Sequence, residues 1–138
     1  MTTQANDAVH ADRLRRAQAE MTHHGIELLI VGPSPDLFYL IGYEGHESER
    51  MSVLVLPREG QAQYVVPRLE AALLEGKEHL LHLVSWTETE QPAAVLAGIA
   101  GAAATGTIAV NDDLWSVFLL RLQQALPGAR WVEAAPLL

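Results

Sequence analysis

The chain has 138 residues, a formal net charge of −8, 49% hydrophobic and 19% charged content, and no cysteine. That length fits one domain with a real core, the composition argues against disorder, and the lack of cysteine excludes disulfides, thiolate zinc sites and cysteine nucleophiles. The acidic balance argues against nucleic acid as a partner, and no stretch approaches the roughly 20 apolar residues of a membrane span.

The N-terminus MTTQANDAVHADRLRRAQAE is polar and has no apolar run of signal-peptide length, so a cytoplasmic setting is expected. A helix is predicted from about Asp7 to His24, capped by Asn6 or Asp7, with Leu14, Ala17 and Met21 as its apolar stripe. Gly25 stands where a helix commonly ends in the left-handed conformation. His23 and His24 fall in the last turn, where the negative helix end favours protonated imidazole; adjacent helical residues point apart, which disfavours a shared metal. The run IELLIVGP reads as a buried strand. Ser34 is placed to cap a short helix that starts at Pro35, carries Leu37, Phe38, Leu40 and Ile41 inward, and stops at Gly42.

MSVLVLP and AQYVVP read as two strands joined by a short REG connection, hence an antiparallel hairpin. RLEAALLEG reads as a short helix closed by Gly76, HLLHLVSW as a strand, and QPAAVLAGIAGAA as a helix with Pro92 in its first turn. TIAVN is a strand, LWSVFLLRLQQAL a helix with Ser116 as a candidate cap, and ARWVEA the last strand. Strands alternating with helices in the second half imply parallel crossovers. The expected fold is α/β: a single domain over residues 1–138, with a mixed sheet (parallel strands plus one antiparallel hairpin) flanked by helices on both faces.

The motifs of common catalytic machinery are missing. There is no P-loop, no H-E-x-x-H and no G-x-S-x-G, and GIAGAAATG lacks dinucleotide-binding spacing. Asp112 and Asp113 follow a strand; they could hold a metal, but capping the next helix is their expected role. His79 and His82 are an odd number apart, so on a strand they would face opposite ways. What remains is LFYLIGYEGHESER, residues 37–50, an apolar anchor followed by a polar cluster. Tyr39 and Tyr43 offer hydroxyls, His46 a base that Glu47 or Glu49 could orient, and Arg50 a two-pronged partner for a carboxylate. No second cluster completes a catalytic or metal site, and on sequence chemistry alone a solvated loop leading into a strand is the better account of the stretch.

The order of these motifs resembles the N-terminal domain of the creatinase/prolidase group, which includes Xaa-Pro dipeptidases and aminopeptidase P. The stretch RLRRAQAEMTHHGIELLIVGPSPDLFYLIGYEG carries the likeness first: an Arg-Leu helix, a Gly-hydrophobic strand, then a Tyr-Leu-Thr-Gly-Tyr type motif matched at Tyr39, Leu40, Gly42 and Tyr43. Asp36 stands where the group usually has Asn, and Ile41 where it has Thr. ERMSVLVLP, YVVPRLEA and LPGARWVEAAPLL extend the likeness over essentially the whole chain.

The resemblance implies a small mixed-sheet domain with no catalytic or metal-binding residue of its own. It implies that a C-terminal "pita-bread" domain, outside these residues, holds two divalent metal ions and performs the hydrolysis. It further implies supporting work here: contacts in a homo-oligomer and part of the wall over the active-site entrance, with Tyr39, Tyr43, His46 and Arg50 as the entrance residues. Two other readings keep the fold: a stand-alone binding or assembly module, or the N-terminal domain of a creatinase-like amidinohydrolase. A domain that meets a partner should also expose an apolar patch, expected around Leu137, Leu138, Tyr39 and Tyr43.

Overall fold

The structure is a computed structural model that describes the backbone of residues 3–138 and the side chains of residues 7–138. Helix α1 spans Thr3–His24 and ends in left-handed Gly25 (φ 71°). It starts upstream of the expected cap, so Asn6 and Asp7 lie within the helix; nothing in the preceding residues, free of Gly and Pro, forces a later start. Strand β1 (Leu28–Val31) follows, buried along its whole length. Helix α2 (Pro35–Ile41) matches expectation at both ends. The Leu37 N–H donates to Ser34 Oγ at 3.2 Å, and Gly42 closes the helix at φ 74°.

Strands β2 (Val53–Pro57) and β3 (Ala62–Pro67) form the expected hairpin, in register Val53↔Val65 to Val55↔Gln63. Then come β4 (Leu81–Trp86), α3 (Pro92–Ile99), β5 (Thr107–Val110), α4 (Ser116–Ala125) and β6 (Arg130–Glu133). Two expected helical stretches are shorter than predicted. RLEAALLEG yields only a 3₁₀ turn at Ala71–Leu74 before Gly76 turns the chain at φ 90°. The α3 stretch breaks at Gly101 (φ 57°) and resumes as a 3₁₀ turn, Gly101–Thr105. Short segments with few hydrogen bonds cannot repay helix nucleation, and glycine lowers the cost of leaving the helix.

The sheet order is β4-β3-β2-β1-β5-β6. β2 pairs antiparallel with both β1 and β3, whereas β1–β5, β3–β4 and β5–β6 are parallel. The hairpin therefore lies inside the sheet, with β2 as its single reversed strand. The strands' period-2 alternation sorts side chains to two cores. Leu29, Val31, Leu54, Leu56, Tyr64 and Val66 pack under α1 and α2, and Ile30, Val53, Val55, Val65 and Ile108 under α3 and α4. The α1 stripe of Leu14, Ala17 and Met21 is buried as predicted. Phe38 is not. It lies off the 37/40/41 stripe of α2 and is 52% exposed, while Leu37, Leu40 and Ile41 are fully buried. Among the described residues, no helix is long and apolar enough to cross a membrane.

Candidate functional site at the carboxyl edge of the sheet

Because only β2 is reversed, five strands end at one edge and β2 begins there. The turns after β1, β3, β4 and β5 and the loop 42–52 consequently gather on that edge. The chain leaves β1 toward β2 and leaves β5 toward β6, so the strand order switches direction between β1 and β5, the position where open α/β sheets commonly take a ligand. Here the Asn111 side chain bridges that crevice, beside an open pocket of about 220 Å³ that it lines with Asp36 and Asp112. The Gly32 N–H donates to Asn111 Oδ1 at 2.9 Å, and Asn111 Nδ2 donates to Ser34 Oγ at 3.1 Å and Asp36 Oδ2 at 3.3 Å. Asn111 is 4% exposed and fully engaged, so it ties the exit of β1 to the end of β5.

The loop beside this knot is built from both ends. Gly45 takes φ 76°, and a Cβ there would lie 2.9 Å from Pro33 Cβ, so the loop approaches the β1 turn more closely than another residue allows. On the returning limb, Trp86 Nε1 donates to the Met51 carbonyl at 2.9 Å and Arg50 Nε meets Glu88 Oε1 at 2.8 Å. An open cleft of about 440 Å³ lies between loop and helix, floored by Pro33, Pro35 and Phe38 and rimmed by Glu44 and Glu47.

The four sequence-predicted entrance residues separate. His46 and Arg50 stay together, lining a narrow wedge against Asp113, Trp115 and Phe118, with the Trp115 and Phe118 rings stacked at 5.6 Å. Tyr39 turns the other way. Its carbonyl accepts from Arg13 Nη1 at 2.8 Å, and the Arg13 guanidinium lies 4.2 Å from the centre of its ring. Tyr43 turns inward, its ring edge-on to Tyr64 at 5.9 Å and its hydroxyl donating to Glu70 Oε2 at 2.7 Å. Ser52 Oγ donates to the same oxygen at 2.9 Å and lies 2.6 Å from the Tyr64 hydroxyl. Burial raises the Tyr43 pKa far above the phenol range, and the Glu70 hydrogen bond and charge add to this. Burial also raises that of Tyr64, opposed by the Ser52 hydrogen bond and reinforced by the Glu70 charge. Both phenols therefore remain protonated at neutral pH and serve as donors.

Ser52, Tyr64, Glu70 and Asn111 were not singled out by sequence. Their signal is a register, Leu54 opposite Tyr64 and Ile30 opposite Val110, which only strand pairing supplies. Asp112 and Asp113 do not cap α4: Trp115 occupies that position without a side-chain bond, and Ser116 is the first helical residue. The turn from the Asn111 carbonyl to the Leu114 N–H (3.3 Å) holds both aspartates ahead of the cap position. His79 precedes β4 rather than lying on it, and bonds Asp7. Of the expected patch, Leu137 is buried, Tyr43 half-buried, and Tyr39 and Leu138 are exposed. Among the described residues, no three His, Asp or Glu side chains converge to hold a metal ion.

A family profile described as the Creatinase/Prolidase N-terminal domain matches residues 13–138. The probable dipeptidase PepE of Mycobacterium tuberculosis is 36% identical over 121 residues, covering 86% of this chain and 32% of that protein. The crystal structure of dipeptidase PepE from Mycobacterium ulcerans superposes with a TM-score of 0.87 at 34% identity, over 95% of this chain and 36% of that one. The creatinase/prolidase N-terminal domain of an X-Pro dipeptidase from Streptococcus pyogenes shares the fold, with a TM-score of 0.77 at 20% identity, over 91% of this chain and 95% of that one. The chain belongs to the creatinase/prolidase N-terminal domain family, and it spans about a third of the length of the PepE relatives.

Proposed function

We propose that this chain is the non-catalytic N-terminal domain of an Xaa-Pro peptidase, of the dipeptidase or aminopeptidase P type. In this reading it shapes the entrance to an active site carried by a C-terminal domain that holds two divalent metal ions, and it contributes contacts to a homo-oligomer. The observation that carries the entrance role is the loop 44–50: it is braced at its base on the carboxyl edge yet presents His46, Glu47 and Glu49 to solvent. Arg50 engages Glu88 through Nε, which leaves the two terminal nitrogens of its fork for a carboxylate. Tyr43 supports the loop from inside, and Tyr39 belongs to the face shared with α1 rather than to the entrance.

The test has two arms. The 138-residue chain, supplied with Mn²⁺ or Co²⁺ and an Xaa-Pro dipeptide, is expected to release no proline above the blank; metal-dependent cleavage would overturn the reading. In the peptidase that carries this domain, Arg50→Ala is expected to raise KM with little change in kcat, because a group that only guides substrate binding acts on the ground and transition states alike.

A further inference from the structure

We infer that Glu70 is the positioning residue of the 44–51 loop, one carboxylate oxygen fastening both of its ends; its functional consequence rests on the entrance reading above. Tyr43 immediately precedes the loop and Ser52 immediately follows it. Both hydroxyls donate to Glu70 Oε2, at 2.7 and 2.9 Å. With Ser52 donating to the carboxylate, the Tyr64 hydroxyl donates in turn to Ser52 Oγ at 2.6 Å. Every hydrogen of the quartet then has one acceptor, and each bond points toward the single negative charge. Bonds to an ionised acceptor are about twice as strong as neutral ones.

The clasp comes from a stiff support. Glu70 lies in the turn after β3, where its N–H donates to the Pro67 carbonyl at 2.9 Å and its carbonyl accepts from the Leu73 N–H at 3.0 Å. Ser52 is 2% exposed and Tyr64 fully buried, so water cannot easily replace either bond. The tip differs. Glu44, His46, Glu47 and Glu49 are exposed, and the local bonds there join only Ser48 and Arg50. A loop fixed at its base and free at its tip keeps its end groups in place while they meet a partner. Beside the Trp86–Met51 bond and the Arg50–Glu88 pair on the returning limb, the position of His46, Glu47 and Arg50 thus depends on a residue that touches none of them.

Limited proteolysis of the 138-residue chain tests this directly, with glutamate-specific protease cutting after Glu44, Glu47 and Glu49, trypsin cutting after Arg50, and tryptic cleavage at Arg121 in α4 as the internal control. Glu70→Ala is expected to speed cleavage within 44–50 by about tenfold or more while cleavage at Arg121 stays unchanged. Glu70→Gln, which keeps a carbonyl acceptor, should restore most of the resistance. Tyr43→Phe, which keeps its ring against Tyr64, should give part of the effect. Unchanged loop cleavage in Glu70→Ala and Tyr43→Phe, or an equal rise at Arg121, overturns the clasp. In the peptidase that carries this domain, Glu70→Ala should raise KM more than it lowers kcat. Faster loop cleavage without that kinetic change leaves the clasp standing and overturns the entrance reading instead.

Discussion

His10 shows how much one side chain can depend on a distant glycine. It sits on α1 against the left-handed end of α2, where a Cβ on Gly42 would come within 2.7 Å of its Cε1. Its Nδ1 is buried and has no partner among the described residues. Burial lowers its pKa below the ordinary value of 6.5; the charges of Lys77 and Arg13 push the same way, and Asp7, itself bonded to His79, opposes them. The folded state therefore favours neutral His10. Its contribution to stability is fully present above about pH 6.5 and is lost as pH falls through that value toward the lower folded pKa. Urea unfolding at about pH 7.5 and about pH 5.5 should show a larger loss for the wild type than for His10→Gln, which cannot titrate. Equal losses would remove His10 from the acid response. In the sequence His10 is a lone histidine on a helix, and no local pattern reveals that Gly42 closes over it.

At the scale of elements, α2 and its surroundings separate what local sequence encodes from what it does not. Ser34, Pro35 and Gly42 act within a turn of their own positions, so the start and end of the helix are legible as a cap, a first-turn proline and a left-handed glycine. The hairpin is legible for the same reason. Asn111 lies 79 positions from Gly32, and its role follows only from β5 pairing with β1. Without that pairing, the neighbouring Asp112 and Asp113 look like the residues with chemistry, although they are merely exposed. The same limit applies to the Tyr43–Glu70–Ser52 clasp, which needs the β2–β3 register, and to RLEAALLEG, whose helical pattern yields to the turn that delivers Glu70. Asn111→Ala should cost about 1–3 kcal/mol, because it strands the buried Gly32 N–H. Ser34→Ala removes the cap and should cost about 0.5–2 kcal/mol. Since Asn111 Nδ2 also holds Ser34 Oγ, a double-mutant cycle by urea denaturation should give less than the sum. Strict additivity would mean that the two bonds act independently.

For the whole molecule, charge is distributed in a way that follows from topology. A sheet with one reversed strand collects its turns on one edge, and those turns carry Glu44, Glu47, Glu49, Glu88, Asp112 and Asp113, all exposed. The same turns carry the cations Arg50, which Glu88 already engages, and Arg68, so the acidic groups outnumber them. Much of the net charge of −8 is thus concentrated on the edge that bears the loop. Exposed ion pairs such as Arg16–Asp12, at 3.0 Å, contribute little by comparison. Like charges gathered on one edge repel one another when the screening length is roughly 30 Å, at about 0.01 M salt, and far less when it is roughly 3 Å, at about 1 M. Thermal unfolding should therefore shift to higher temperature as NaCl rises through this range, opposite to the response of a fold held by surface ion pairs. Replacing Glu44, Glu47 and Glu49 together by Gln should raise the midpoint at low salt and flatten its salt dependence, with little change at high salt, where screening already does the same. A midpoint that falls with salt, or a triple variant with the wild-type slope, would place the dominant electrostatics elsewhere on the molecule.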